Sequence, residues 1–153
     1  VDFILIETAM DAANVKIAIE ECRKIDGDIP IIVSAVLSRI EGRVASGATI
    51  SKFLEDIPLE EVSVVGFNCS NGVKTAEASL KMLAAKCDKP IILYPSAEQP
   101  IVAANHFAKD MEALCRAGLL NIIGGCCGTT PAYIESMAKV AQRWRPRKTG
   151  KKN

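Results

Sequence analysis

Short β-branched apolar runs alternate with longer amphipathic segments along the whole chain. Phe3–Ile6, Ile31–Val36, Val62–Gly66, Ile91–Tyr94 and Asn121–Ile123 have the length and composition of buried strands. Each is followed by a segment with helical periodicity. In Ala12–Ile25 the positions Val15, Ile17, Ala18, Ile19 and Cys22 recur at helical spacing, and in Val73–Cys87 Ala76, Leu80, Leu83 and Ala84 do so. A short helix is expected at Ile50–Leu54. Asn105–Ala117 runs into Gly118, a stop signal, and Pro131–Gln142 has Thr130 as its N-cap with Pro131 at the first helical position.

The strand starts near residues 3, 31, 62, 91 and 121 lie 28, 31, 29 and 30 residues apart, the length of one strand–helix unit used five times. Near-continuous apolar strands joined by helical crossovers predict an α/β fold. Its parallel sheet would be covered by helices, either doubly wound or closed into a (β/α)8 barrel. A full barrel takes about 250 residues, so in that architecture three units would be missing and the first and last strands would each be an edge. The exception to the rhythm is Ser38–Gly47, a long loop at the carboxyl end of the second strand, where α/β folds place functional segments.

With 49% apolar, 24% charged and 5% aromatic residues, the chain has the composition of a soluble globular domain. The apolar runs are too short to span a bilayer and no segment resembles a signal peptide, so a cytoplasmic protein with no membrane contact is expected. The net charge of +1 conceals an asymmetry. Residues 143–153 hold six of the 19 cations and no acid, which leaves 13 cations against 18 anions in residues 1–142. The boundary is therefore drawn there, with 1–142 as the folded domain and 143–153 as a basic tail or linker. Without interleaved aromatics that tail reads as a solvated segment, and nucleic-acid binding is not expected. A chain that opens at Val1 on an apolar run also reads as one processed or cut from something longer.

Six cysteines in a cytosolic chain call for a different account from six in a secreted one. Cys22, Cys87 and Cys115 fall within or at the ends of helical patterns, as small buried hydrophobes do. Cys69, Cys126 and Cys127 stand where strands end, the rim on which parallel α/β folds gather their chemistry. The same rim receives Glu7-Thr8 after the first strand and Tyr94-Pro95-Ser96 after the fourth. Adjacent cysteines in a regular strand would point to opposite faces. Gly124, Gly125 and Gly128 permit backbone angles that would let Cys126 and Cys127 aim at one point. Three thiolates and no evident fourth protein ligand match zinc with an open coordination position. A vicinal disulfide, plain packing and a dithiol redox pair are the alternatives, the last weakened by the absence of the usual two-residue spacer.

Gly66-Phe67-Asn68-Cys69 and Gly124-Gly125-Cys126-Cys127-Gly128-Thr129-Thr130-Pro131 resemble the two zinc signatures of the homocysteine S-methyltransferase family. Asp2 through Thr8, and Ser34 through Gly42-Arg43-Val44-Ala45-Ser46-Gly47, also look like that family's segments in the right order. The likeness covers residues 1–142 and is strongest to the homocysteine-binding domain of cobalamin-dependent methionine synthases. It implies a partial barrel, strands four to eight of eight, with Cys69, Cys126 and Cys127 as zinc ligands. It also implies Glu7 as the holder of the homocysteine ammonium, with Asn68 and Ser96 as further substrate-side residues. The expected activity is methyl transfer to the homocysteine thiol, giving methionine. The alternative is a non-catalytic thiolate zinc-binding protein.

Two departures accompany the resemblance. The family's first-strand Asp-Gly-(Ala/Gly)-Met-Gly-Thr segment has no equivalent here, so the expected partners are the missing N-terminal barrel half or a second copy of the chain. Pro95-Ser96-Ala97-Glu98 stands where the family usually has Pro-Asn-(Ala)-Gly. The stretch after Gln142 resembles the start of a linker to a folate domain. It points to methyl-cobalamin from other domains as donor, with a corrinoid protein, betaine or S-methylmethionine left open.

Overall fold

The computed structural model describes residues 1–70, 72–97 and 101–150. Five strands, β1 (Ile4–Ala9), β2 (Ile31–Val36), β3 (Val64–Asn68), β4 (Ile91–Tyr94) and β5 (Ile122–Ile123), form one parallel sheet in sequential order. They alternate with α1 (Ala12–Ile25), α2 (Ile50–Asp56), α3 (Glu77–Lys86), α4 (Ala104–Arg116) and α5 (Pro131–Arg143). This is the predicted α/β order, with the arrangement of a partial barrel.

A sheet whose strands follow one another in sequence through right-handed crossovers places all its helices on one face. The burial agrees. Ile31, Val33, Ala35, Val65, Phe67, Ile91 and Leu93 are all buried, and neighbouring helices pack side by side above them. The alternate positions line the other face: Leu5 opposite Ile32, Ile32 opposite Val64, and Gly66 opposite Ile92, which in turn faces Ile122. No helix of the described residues covers that face, and Leu5 and Ile122 remain 37% and 39% exposed. In a closed barrel this face is the lumen. Gly66 sits where a Cβ would overlap the carbonyl of Ile92, so β3 and β4 approach as closely as they do only because no side chain stands between them.

Helix ends follow local chemistry. The Asp11 side chain accepts from Asn14 N at 2.9 Å to cap α1, and Thr49 accepts from Lys52 N to cap α2. Helix α4 ends at Gly118 (φ +68°), whose N–H donates to Cys115 O while Leu119 N–H donates to Leu114 O, a Schellman closure with Leu114 and Leu119 both buried. Thr130 and Pro131 stand at the expected positions of α5, but the Thr130 side chain makes no cap bond.

Several boundaries differ from expectation. The first strand runs over Ile4–Ala9 rather than ending at Ile6, so Glu7 and Thr8 lie within it. The third strand runs over Val64–Asn68 rather than Val62–Gly66, because Val62 N–H closes a 3-10 turn on Leu59 O while Phe67 and Asn68 continue the ladder to β4. The third helix begins with a 3-10 turn at Lys74–Ala76, since Ala76 has no side chain with which to cap it. The start of the basic tail is packed. Trp144 Nε1 donates to Glu112, and the Arg147 guanidinium donates to the carbonyls of Ala84, Cys87 and Lys89. Asn121 ties that segment to the sheet, donating from Nδ2 to Arg147 O and accepting from Ile91 N.

The Ser38–Gly47 loop is also tied down. Leu37 pairs with Val44 and Arg43 with Thr49, Ser46 N–H donates to Met10 O, and Val44 is fully buried. None of the described helices is long and apolar enough to cross a membrane.

Candidate metal centre

Strand β3 delivers Asn68 and Cys69 to the carboxyl rim, and β5 leads into Gly124-Gly125-Cys126-Cys127-Gly128. There the sulfurs of Cys69 and Cys126 lie 2.8 Å apart, those of Cys69 and Cys127 3.9 Å, and those of Cys126 and Cys127 3.8 Å. No other group of three or more His, Cys, Asp or Glu side chains converges in this way among the described residues. Cys22, Cys87 and Cys115 lie on or at the ends of helices, and all six thiols are free.

The glycines serve the cluster differently from expectation. Only Gly128 has a left-handed backbone, with φ +78°. Gly125 leaves room for the Thr129 side chain, which would meet its Cβ at 2.6 Å, and Gly124 lies against Tyr94. Thr129 then holds the bend, its Oγ1 donating to Cys126 O at 2.7 Å. Cross-links to the segment after β4 finish the job: Cys126 N–H donates to Pro95 O and Ala97 N–H to Cys127 O.

Cys69 has φ +57°, in the left-handed region that non-glycine residues avoid, and so does Thr8 with φ +56°. The fully buried Asn68 connects the two. Its Oδ1 accepts from Thr8 N–H at 3.0 Å and from Ser34 Oγ at 2.8 Å, while its Nδ2 donates to Thr8 Oγ1 at 2.9 Å. One amide thereby fixes the ends of β1, β2 and β3. Asn68, expected beside substrate, spends its side chain on this bracket. Ser96, expected there too, donates from Oγ to Cys69 O at 3.2 Å. Glu7 is exposed on β1, and Glu98 lies outside the described residues.

Two residues of the site escaped the sequence reading of roles. Ser34 was signalled by its polarity within the apolar run of β2. Tyr94, the aromatic at the end of β4, is 9% exposed with its hydroxyl beside Ser34 and Glu7.

Burial opposes ionisation of Cys69, and shared hydrogen bonds with Cys126 and Cys127 add to it, so its pKa is pushed up to about 11. Burial opposes ionisation of Cys126 as well. Hydrogen bonds from Cys69, from Cys127 and from the Asn68 amide outweigh it and lower that pKa. Of these two thiols, Cys126 is therefore the one whose surroundings favour ionisation.

The donor set suits a soft metal ion. Zinc–sulfur bonds of about 2.3 Å in a tetrahedron imply sulfur–sulfur edges of about 3.8 Å. Two of the three edges match, and the third is tighter. Sulfur ligands exclude magnesium and calcium as natural occupants, and three ligands leave one position open. Beside Cys69 lies a cavity of about 510 Å³, bounded by Ser38, Arg39 and Glu41 of the long loop and by Ser70 and Ser79.

The sequence matches the family model for homocysteine S-methyltransferase over residues 1–141. The chain belongs to that family. Its fold is similar to that of the Escherichia coli homocysteine methyltransferase MmuM in three solved forms. The oxidized form gives a TM-score of 0.76 at 22% identity, covering 90% of this chain and 45% of that one. The apo form gives 0.69 at 22% identity, covering 92% and 49%. The metallated form gives 0.69 at 22% identity, covering 90% and 44%. The chain thus spans a little under half the length of these proteins, and the likeness shows that its five strand–helix units share the fold of that part of them.

Proposed function

We propose that this chain carries the thiol-activating site of a homocysteine S-methyltransferase, with Cys69, Cys126 and Cys127 holding zinc. The observation that carries the reading is the convergence of three sulfurs from two strand ends on one rim, in a chain of this family. When bound, zinc would lower the pKa of a substrate thiol enough for it to ionise at neutral pH. The cysteines act as ligands, and their negative charge keeps the substrate sulfur electron-rich. Glu7 holds the substrate ammonium through a charge-assisted hydrogen bond. Asn68 positions both groups, because its amide fixes Thr8, next to Glu7, and it directly precedes Cys69. Ser96 holds the Cys69 carbonyl and so steadies the same turn. The substrate thiolate takes a methyl group from the donor, which leaves with the electron pair of the broken bond, and methionine is formed.

The uncovered sheet face and the two edge strands support a further element of the reading. The remaining barrel units come from elsewhere in a longer protein, from another chain or from a second copy. Methyl-cobalamin or another donor would be brought by domains beyond these residues, a corrinoid or folate domain among them. Six unpaired thiols suit a reducing compartment such as the cytoplasm.

The test is titration calorimetry on protein purified under reducing conditions. One zinc should bind, Cys126→Ser should abolish tight binding, and Cys22→Ser should leave it intact. Zinc-loaded protein should then bind homocysteine, weakened roughly 10- to 100-fold by Glu7→Gln. Zinc binding without homocysteine binding, even when the remaining barrel units are supplied as a longer chain or a partner, would reject the methyltransferase reading in favour of a non-catalytic metal-binding protein.

A further inference from the structure

Strand β1 carries one irregularity, and it falls on the acid assigned to the ammonium. Ile4, Leu5 and Ile6 pair with Ile31, Ile32 and Val33, but the next pairing joins Ala9 to Ala35, so Glu7 and Thr8 together stand opposite Ser34. This is a β-bulge, with one residue more on β1 than on β2. Its second residue, Thr8, has φ +56°, a conformation in which a β-branched residue is an outlier. Such a backbone persists only where its surroundings hold it. Here the Asn68 amide does so twice, accepting from Thr8 N–H and donating to Thr8 Oγ1. We propose that Thr8 is a positioning residue for substrate binding: locked by Asn68, it makes the bulge that aims the Glu7 carboxylate at the homocysteine ammonium.

The bulge changes what the pleat of the strand would dictate. In an unbroken β1, Ala9 would stand on the open face of the sheet, whereas the extra residue returns it to the helix-covered side, where it is buried. Glu7 and Thr8 share one place in the ladder, so the direction of Glu7 follows from the backbone angles of Thr8 rather than from simple alternation. That direction leads across the sheet. The Tyr94 hydroxyl, on β4, lies beside Glu7 and within reach of the Cys126 charge, so the carboxylate is brought towards the thiols. Thr8 is exposed, and glycine would take the same backbone without strain, but only a side chain with an acceptor gives Asn68 its second hold. Barrel units beyond this chain would add contacts of their own to the same substrate. The bulge, the amide that locks it and the acid it aims all lie within these residues.

This inference rests on the proposed function, and a double-mutant cycle separates the two. Homocysteine is titrated into zinc-loaded wild type, Thr8→Val, Glu7→Gln and the double variant, each with the remaining barrel units supplied in the same way, so that contacts from those units cancel in the comparison. Zinc affinity is measured for each protein. Thr8→Val keeps the shape and loses the acceptor, so it should weaken homocysteine binding about 5- to 20-fold with zinc affinity unchanged. The double variant should bind no more weakly than Glu7→Gln, because a residue that acts through Glu7 has nothing left to act on. Thr8→Ser, which keeps the hydroxyl, should bind as the wild type does, and Thr8→Ala takes the place of valine in the cycle if the valine variant does not fold. Additive losses, weakened zinc binding, a serine variant as poor as the valine one, or homocysteine binding untouched by Thr8→Val would each overturn the inference alone. Failure of the wild type to bind homocysteine, or no effect of Glu7→Gln, would bring down the functional reading and the inference with it.

Discussion

Removing the Asn68 amide should unfold the rim more than any other single truncation there. Asn68→Ala strands the N–H of Thr8 and the hydroxyl of the fully buried Ser34, each of which now donates to Asn68 Oδ1. A buried donor left without an acceptor costs about 1–3 kcal/mol, in full for Ser34 and in part for the Thr8 N–H, whose bond is only part-buried, so the two together cost roughly 2–4 kcal/mol. The third bond, to Thr8 Oγ1, sits where water can replace it and adds little. Against this, Thr8 is freed to leave the left-handed region, which returns roughly 1–2 kcal/mol. Around mid-range the net loss is about 1–2 kcal/mol, a large share of a typical domain's stability. With a urea slope of about 2 kcal/mol per molar, the unfolding midpoint of metal-free protein should fall by about 0.5–1 M. The amide proton that the crossbar offers to Cys126 is lost as well, so the variant should also show a higher pKa for that thiol in ultraviolet thiolate titration. A midpoint within 0.2 M of wild type and an unmoved Cys126 titration would refute the idea that this one side chain bridges three strands.

Zinc affinity should climb with pH. Cys69 has its pKa raised to about 11, so it holds its proton throughout the neutral range and must surrender it to bind metal. That thiol alone should raise apparent affinity about tenfold per pH unit between pH 6.5 and 8.5, as followed by competition with a chromophoric chelator, and a flat profile would contradict it. Gly66→Ala places a methyl group against the Ile92 backbone, which cannot swing aside as a side chain would. The variant should lose more than about 3 kcal/mol or accumulate insoluble, and a wild-type Tm would show that β3 and β4 do not need the glycine.

The order of strands and helices was legible because buried parallel strands and their covering helices differ so sharply in hydrophobic period. The cysteines were legible because strand ends are where parallel sheets expose side chains. What stayed hidden depends on contacts between distant residues. Nothing local marks Thr8 and Cys69 as left-handed, since neither is glycine or asparagine, and the Asn68 bracket that holds Thr8 spans 60 residues. Gly66 read as the end of its strand, whereas β3 runs on to Asn68 and a Cβ at Gly66 would overlap the Ile92 backbone of the next strand. The basic stretch after Gln142 read as solvated because charge is the only signal it offers. Arg147 finds three carbonyl oxygens near the end of α3, a set that only the folded chain assembles.

That last attachment bears on how long the cluster could retain an ion. Strand β5 has only two residues, yet it leads directly to two of the three sulfurs. A ladder so short resists peeling weakly by itself. Its lower end is pinned by Asn121, which grips both the start of β4 and the Arg147 carbonyl, while Arg147 N–H donates to Leu120 O. Escape of an ion requires Cys126 and Cys127 to draw back together from Cys69, and that retreat is coupled to the opening of β5. The off-rate of a bound ion would therefore be governed in part by an arginine on the opposite rim of the sheet. A protease cut between Gln142 and Arg147 would leave every ligand in place and shorten the ion's residence time.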